Sequence, residues 1–235
     1  MAQPTADELR NLPLPDLALK VLVEWGGFRN LNSLLRWMEQ RGFPEESDIY
    51  LLVGKVADAW SWLESHALLA DDPKQTLSRW QRVTELGDEL IKDPNAVAKV
   101  WAADRLAGDL HASLSSAKTN FALSDYETAS FAAMKAVEVA VRRTSGLPNK
   151  LIGKDLMRNA FHPDTGVLRD PEAEPSERHA TADLFAGAIG LYKNPASHRT
   201  VEFDDPVEAA EVIQLADLLL RIVQRAETRL SEEQG

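Results

Sequence analysis

Pro206-Val207-Glu208-Ala209-Ala210-Glu211-Val212-Ile213-Gln214-Leu215-Ala216-Asp217-Leu218-Leu219-Leu220-Arg221-Ile222-Val223 decides the fold class. Ala209, Val212, Ile213, Ala216, Leu219, Leu220 and Val223 recur at three- and four-residue intervals. That spacing puts them on one stripe of an α-helix running from about Pro206 to Leu230. Leu215, Leu218 and Ile222 form a neighbouring stripe. An apolar arc this wide has to be covered on two sides. Two coverings satisfy it: a central place in the chain's own bundle, or packing on a second copy of the chain.

Immediately before this helix stands Tyr192-Lys193-Asn194-Pro195-Ala196-Ser197-His198-Arg199. Pro195 has no backbone N–H and restricts the residue before it, so the preceding helix should stop at Lys193 or Asn194. Asn194 and His198 then sit on a short turn between two helices. A lysine that neutralises charge and a histidine that titrates near neutrality are what phosphodiester chemistry asks for.

Working outward, proline and glycine divide the rest into helices. The pattern predicts helices over about 177–193, 153–160, 124–144 and 96–118, with an irregular loop carrying Pro163, Gly166, Pro171 and Pro175. The 124–144 helix is rich in Ala129, Ala132, Ala133, Ala136 and Ala140, which permit close helix–helix approach. Asp93-Pro94-Asn95 marks a junction between a domain over 1–95 and one over 96–235. In the first domain, helices are expected from Asp16, over 30–41 and over 46–65. Short strands around Leu68-Leu69-Ala70 and over 78–83 flank a polar turn, and Thr84 caps a further helix. Helix, two-stranded wing and helix together resemble a winged-helix domain.

Four pieces of the chain carry a family resemblance. Lys193-Asn194 followed by His198 resembles the R/K-N-x3-H signature of HEPN domains, and the closest version is that of the bacterial Ymh-type hypothetical proteins. Ser124-Asp125-Tyr126-Glu127-Thr128-Ala129 resembles the opening of the domain's long helix. The run from Lys135 to Arg142 resembles its core. Gly153-Lys154-Asp155-Leu156-Met157-Arg158-Asn159-Ala160-Phe161 with Gly166-Val167-Leu168 resembles G-x-x-L-M-x-x-A-F … G-x-L. Departures are Lys193 where arginine is common, and His66-Ala67 where the family's preceding domain usually has a glycine. Lysine keeps the charge but loses the planar fork that grips phosphate. The resemblance implies a mainly α fold, with a winged-helix-like domain before a HEPN-like bundle, and a homodimer. It also implies metal-independent ribonuclease activity in bacterial defence or toxin-type growth arrest.

Composition narrows the alternatives. The chain of 235 residues has no cysteine, hence neither disulfide nor thiolate metal site. No apolar run approaches a membrane span, and Met1 to Glu8 lacks the pattern of a secretory signal, so a cytoplasmic protein is expected. Net charge is −11: residues 1–98 carry 10 Lys+Arg against 16 Asp+Glu, and the remainder 16 against 21. Neither half has the basic excess of a general nucleic-acid binder, so any RNA contact must use a local cluster. Lys55 near the presumed recognition helix and Lys74, Arg79 and Arg82 near the wing are a small footprint, which disfavours DNA and favours a protein partner for 1–95. His66, His111, His162 and His179 lack metal-ligand spacing, and neither a metal nor a cofactor is expected.

Metal-free RNA cleavage needs a base for the 2′-hydroxyl, an acid for the leaving 5′-oxygen and a cation for the phosphorane. His198 suits acid or base, Lys193 the cation, and Asn194 a donor that positions phosphate; Arg199 adds charge beside them. One motif has one histidine, and a symmetric dimer would supply two across a shared cleft. Glu138, four residues before Arg142, reads either as an exposed ion pair or as a support for the motif. The competing reading of the whole is a non-catalytic module in which His198 is a polar residue at a helix end.

Overall fold

Buried alanines line the second-longest helix of the described chain and leave room for a neighbour against it. The computed structural model describes residues 4–43, 46–75, 80–93, 96–193 and 204–232, with backbone alone for 96 and 97. The described chain is mainly α and divides into two compact units, 1–97 and 98–235.

In the first unit, α1 (Ala6–Asn11), α2 (Leu14–Trp25), α3 (Leu31–Trp37) and α4 (Ile49–Ser65) pack together. Thr5 and Glu8 form a capping box on α1, and Asn30 caps α3 by accepting from the Ser33 N–H. A wide π-type turn over Met38–Gly42 extends α3. Leu17, Val21, Leu22, Leu52, Val56, Ala59 and Leu63 are buried, so the packing stripes of α2 and α4 make the core. Strands β1 (Leu69–Asp71) and β2 (Gln81–Val83) pair antiparallel, with Ala70 opposite Arg82. Thr84 caps α5 (Glu85–Ile91) by accepting from the Gly87 N–H.

The second unit is built on α8 (Tyr126–Ser145) and α11 (Pro206–Glu232). Ala129, Ala133 and Ala140 are buried on α8, and their small side chains let α11 lie close alongside. Asp125 caps α8, and Gly146 ends it in the left-handed conformation (φ 65°) that suits glycine. Helices α7 (Ser115–Ala122), α9 (Gly153–Ala160) and α10 (Pro175–Ala188) surround this pair. The apolar positions of the G-x-x-L-M-x-x-A-F … G-x-L run, Leu156, Met157, Ala160, Phe161 and Leu168, are all buried. Phe161 stacks on Phe185 at 4.0 Å between ring centroids.

One expected helix is broken. Instead of a continuous 96–118, α6 (Ala96–Arg105) stops and a loop leads through a 3-10 turn (Ala112–Leu114) into α7. Side chains of α11 satisfy the backbone so released. Asp217 accepts from the His111 N–H at 2.6 Å, Gln214 donates to the Arg105 carbonyl at 3.1 Å and Arg221 to the Asp109 carbonyl at 2.8 Å. No helix among the described residues is long and apolar enough to cross a membrane.

Candidate functional site

The end of α10 carries the only described part of the 193–199 motif. After Ala188 the chain widens into a π-type turn, Ile189–Lys193. Ile189 is buried and Tyr192 packs on the core, so the turn is anchored from one side while Leu191 stays exposed. Inserted residues of this kind are frequent where a helix presents a functional side chain. Lys193, the last residue of the turn, is mostly buried and reaches α8, with Nζ 3.4 Å from Glu138 Oε2. Asn194, His198 and Arg199 lie outside the described residues.

Glu138 is a buried carboxylate between two cations. Arg142 Nη2 stands 3.3 Å from its Oε1, and Lys193 faces Oε2. The Lys193 contact is an ion pair whose direction is not that of a hydrogen bond. Arg142 also donates to the Leu151 carbonyl at 2.7 Å and to the Pro148 carbonyl at 3.4 Å. The pair, read from its i,i+4 spacing as either an exposed contact or a support, is a partly buried tie that joins α8, the loop into α9 and the turn bearing Lys193. Burial keeps such pairs in one geometry at a cost in desolvation, which favours orientation over stability.

Two cations that sequence reasoning passed over lie beside the same turn. Lys154 and Arg158, one helical turn apart on α9, line a shallow groove with Gly190 and Leu191, and Asp183 stands at its side. A Cβ at Gly190 would meet Lys154 Cδ at 2.9 Å, so glycine lets the lysine stem cross the turn closely. Both side chains are exposed and have no carboxylate partner among the described residues. The i,i+4 spacing of Lys154 and Arg158 opposite the buried Leu156 was the available signal. Lys154 and Arg158 thus form a small exposed basic cluster on an acidic protein, which suits a polyanion.

In the first unit, Trp60 is buried and donates its indole N–H to Gln81, whose amide donates to Glu64. Trp62 stacks on His66 at 3.8 Å. These tryptophans thus serve the fold. Lys74 and Arg82 are exposed, and Arg79 lies outside the described residues. Among the described residues no three His, Asp or Glu side chains converge as metal ligands.

No curated protein and no solved structure matches the chain. Residues 109–223 match the model of a family described as "Protein of unknown function (Hypoth_ymh)", so over this stretch, which holds the motif and Glu138, the chain is similar to the Ymh-type family.

Proposed function

We propose that the 98–235 unit is a HEPN-type, metal-independent endoribonuclease that works as a homodimer. The observation that carries this reading is the placing of Lys193 on a widened helix end, tied to Glu138, beside the unpaired Lys154 and Arg158. In this mechanism the 2′-oxygen attacks phosphorus, the bond to the 5′-oxygen breaks, and a 2′,3′-cyclic phosphate and a 5′-hydroxyl result. His198 moves a proton at one of the two oxygens, Lys193 offsets charge on the phosphorane and Asn194 donates to a phosphate oxygen. Arg199 adds to the field, and Glu138 positions Lys193. Lys154 and Arg158 would lead the RNA backbone toward the turn. The dimer supplies the second histidine. Supporting it, the stripe of Ala209, Val212, Ile213 and Ala216 is buried within the unit while Leu218 on the neighbouring stripe is 49% exposed. A role in defence or toxin-type growth arrest follows from the HEPN resemblance.

The test is incubation of total RNA with the protein in EDTA, beside His198→Ala. Cleavage by the native chain that the variant loses is expected. Equal cleavage by both would remove His198 from the site. Absence of cleavage by either would favour the second reading, a non-catalytic module that docks a protein through 1–95. Exposed Tyr50 and Leu51 on α4 favour that reading.

A further inference from the structure

Four arginines converge on a second pocket of the 98–235 unit, away from the motif. It lies between the loop after Phe161, α10 and α11, and encloses about 210 Å³. Arg169, Arg178, Arg225 and Arg229 line it, together with Asp170 and Glu177. Both acids are engaged. Asp170 lies 3.5 Å from Arg229 and accepts from the Glu172 N–H, while Glu177 accepts from the Glu174 N–H as part of the α10 capping box.

Among the described residues, three guanidinium groups have no carboxylate partner. Within that set, Arg169 donates to the Gly166 carbonyl alone and Arg178 to the Pro163 carbonyl alone, and the buried Arg178 Nε meets no acceptor. Arg225 is exposed and has no partner among the described residues. Arg225 and Arg229 stand four apart on α11, a like-charge spacing that Asp170 offsets from the Arg229 side. A buried N–H without an acceptor is costly. One anion in the pocket would relieve it.

We propose that this pocket binds a phosphoryl group. Guanidinium forks match phosphate oxygens in pairs, and the three without a carboxylate give the charge and the planar donors that phosphate recognition uses. The volume is below the roughly 300–1,000 Å³ of pockets that enclose a drug-sized ligand. It therefore takes a phosphate or pyrophosphate group, whether free or at the end of a nucleotide whose base lies outside. The proposal stands apart from RNA cleavage, since no residue of the pocket belongs to the motif.

The test is isothermal titration of the full chain at ~0.15 M salt, where loose surface charge is screened. Inorganic phosphate, inorganic pyrophosphate and adenosine diphosphate are the probes. Saturable pyrophosphate binding is expected, weakened at least about tenfold in Arg225→Ala and in Arg178→Gln, and unchanged in Arg143→Ala. Arg225 supports no part of the fold, so its variant separates binding from folding. Diphosphate nucleotide binding tighter than pyrophosphate would assign the pocket to a nucleotide, and equal or weaker binding would assign it to the free anion. No saturable binding of any probe, or equal binding by the native chain and both variants, would overturn the proposal.

Discussion

Ala67 sits at φ 55°, a left-handed conformation in which an L-residue's Cβ crowds its own carbonyl. The sequence marked the pair His66-Ala67 as standing where a glycine is usual, and Ala67 is the one of the two with positive φ. The side chain is exposed, so nothing is lost by removing it. Ala67→Gly is expected to stabilise the first unit by about 1 kcal/mol, read as a higher midpoint in urea. Glu138 offers a second contrast. Glu138→Ala leaves Arg142 and Lys193 facing each other in a partly buried space, whereas Lys193→Met leaves Glu138 still paired with Arg142. Glu138→Ala should cost about 2 kcal/mol, reduced from the fully buried case by partial exposure, and Lys193→Met clearly less. Thermal unfolding of the two variants would show the order. The sequence left Glu138 open between an exposed pair and a support, because i,i+4 spacing says nothing of burial. Its second cation is a lysine 55 positions along the chain, which local spacing cannot show.

At the scale of elements, helices bounded by proline, glycine or caps were legible. Gly146 ends α8, Thr84 caps where expected, and α9 keeps the range 153–160. The break between α6 and α7 was not legible. Its local sign is a single Gly108, while the groups that stabilise the open loop, Asp217, Gln214 and Arg221, lie more than 100 residues away. Asp217 is the centre of that arrangement, accepting from His111 and from Arg221 Nε at 2.7 Å. Asp217→Ala is expected to cost about 2 kcal/mol, since it leaves a backbone donor without its charged acceptor. Hydrogen exchange should rise over 106–112 in the variant while α8 stays protected. Unchanged exchange there would show that the loop holds itself.

At the scale of the whole molecule, the first unit ties its opening helices together with ion pairs. Arg10 pairs with Asp48 and Glu46, and Lys20 with Glu8 and Glu24. Hydrogen bonds from Arg10 keep the Asp48 carboxyl below the usual carboxylate range, and a hydrogen bond from Lys20 does the same for Glu8. A carboxyl depressed on folding adds stability above its unfolded value of about 4, and that stability is lost as pH falls through the lower folded value. The first unit should therefore weaken as pH drops below about 4, and Arg10→Met should flatten this dependence, as acid titration followed by circular dichroism would show. The proposed catalysis rests on the residue types from Lys193 to Arg199. The Lys154 and Arg158 groove needed three dimensions, because α9 and the turn after α10 meet only in the fold.

Product ends formed in EDTA test the ribonuclease reading most directly. Attack by the neighbouring 2′-oxygen predicts 2′,3′-cyclic phosphate and 5′-hydroxyl termini, produced by the native chain and absent with His198→Ala. Termini carrying 5′-phosphate and 3′-hydroxyl, or cleavage that EDTA abolishes, would contradict it.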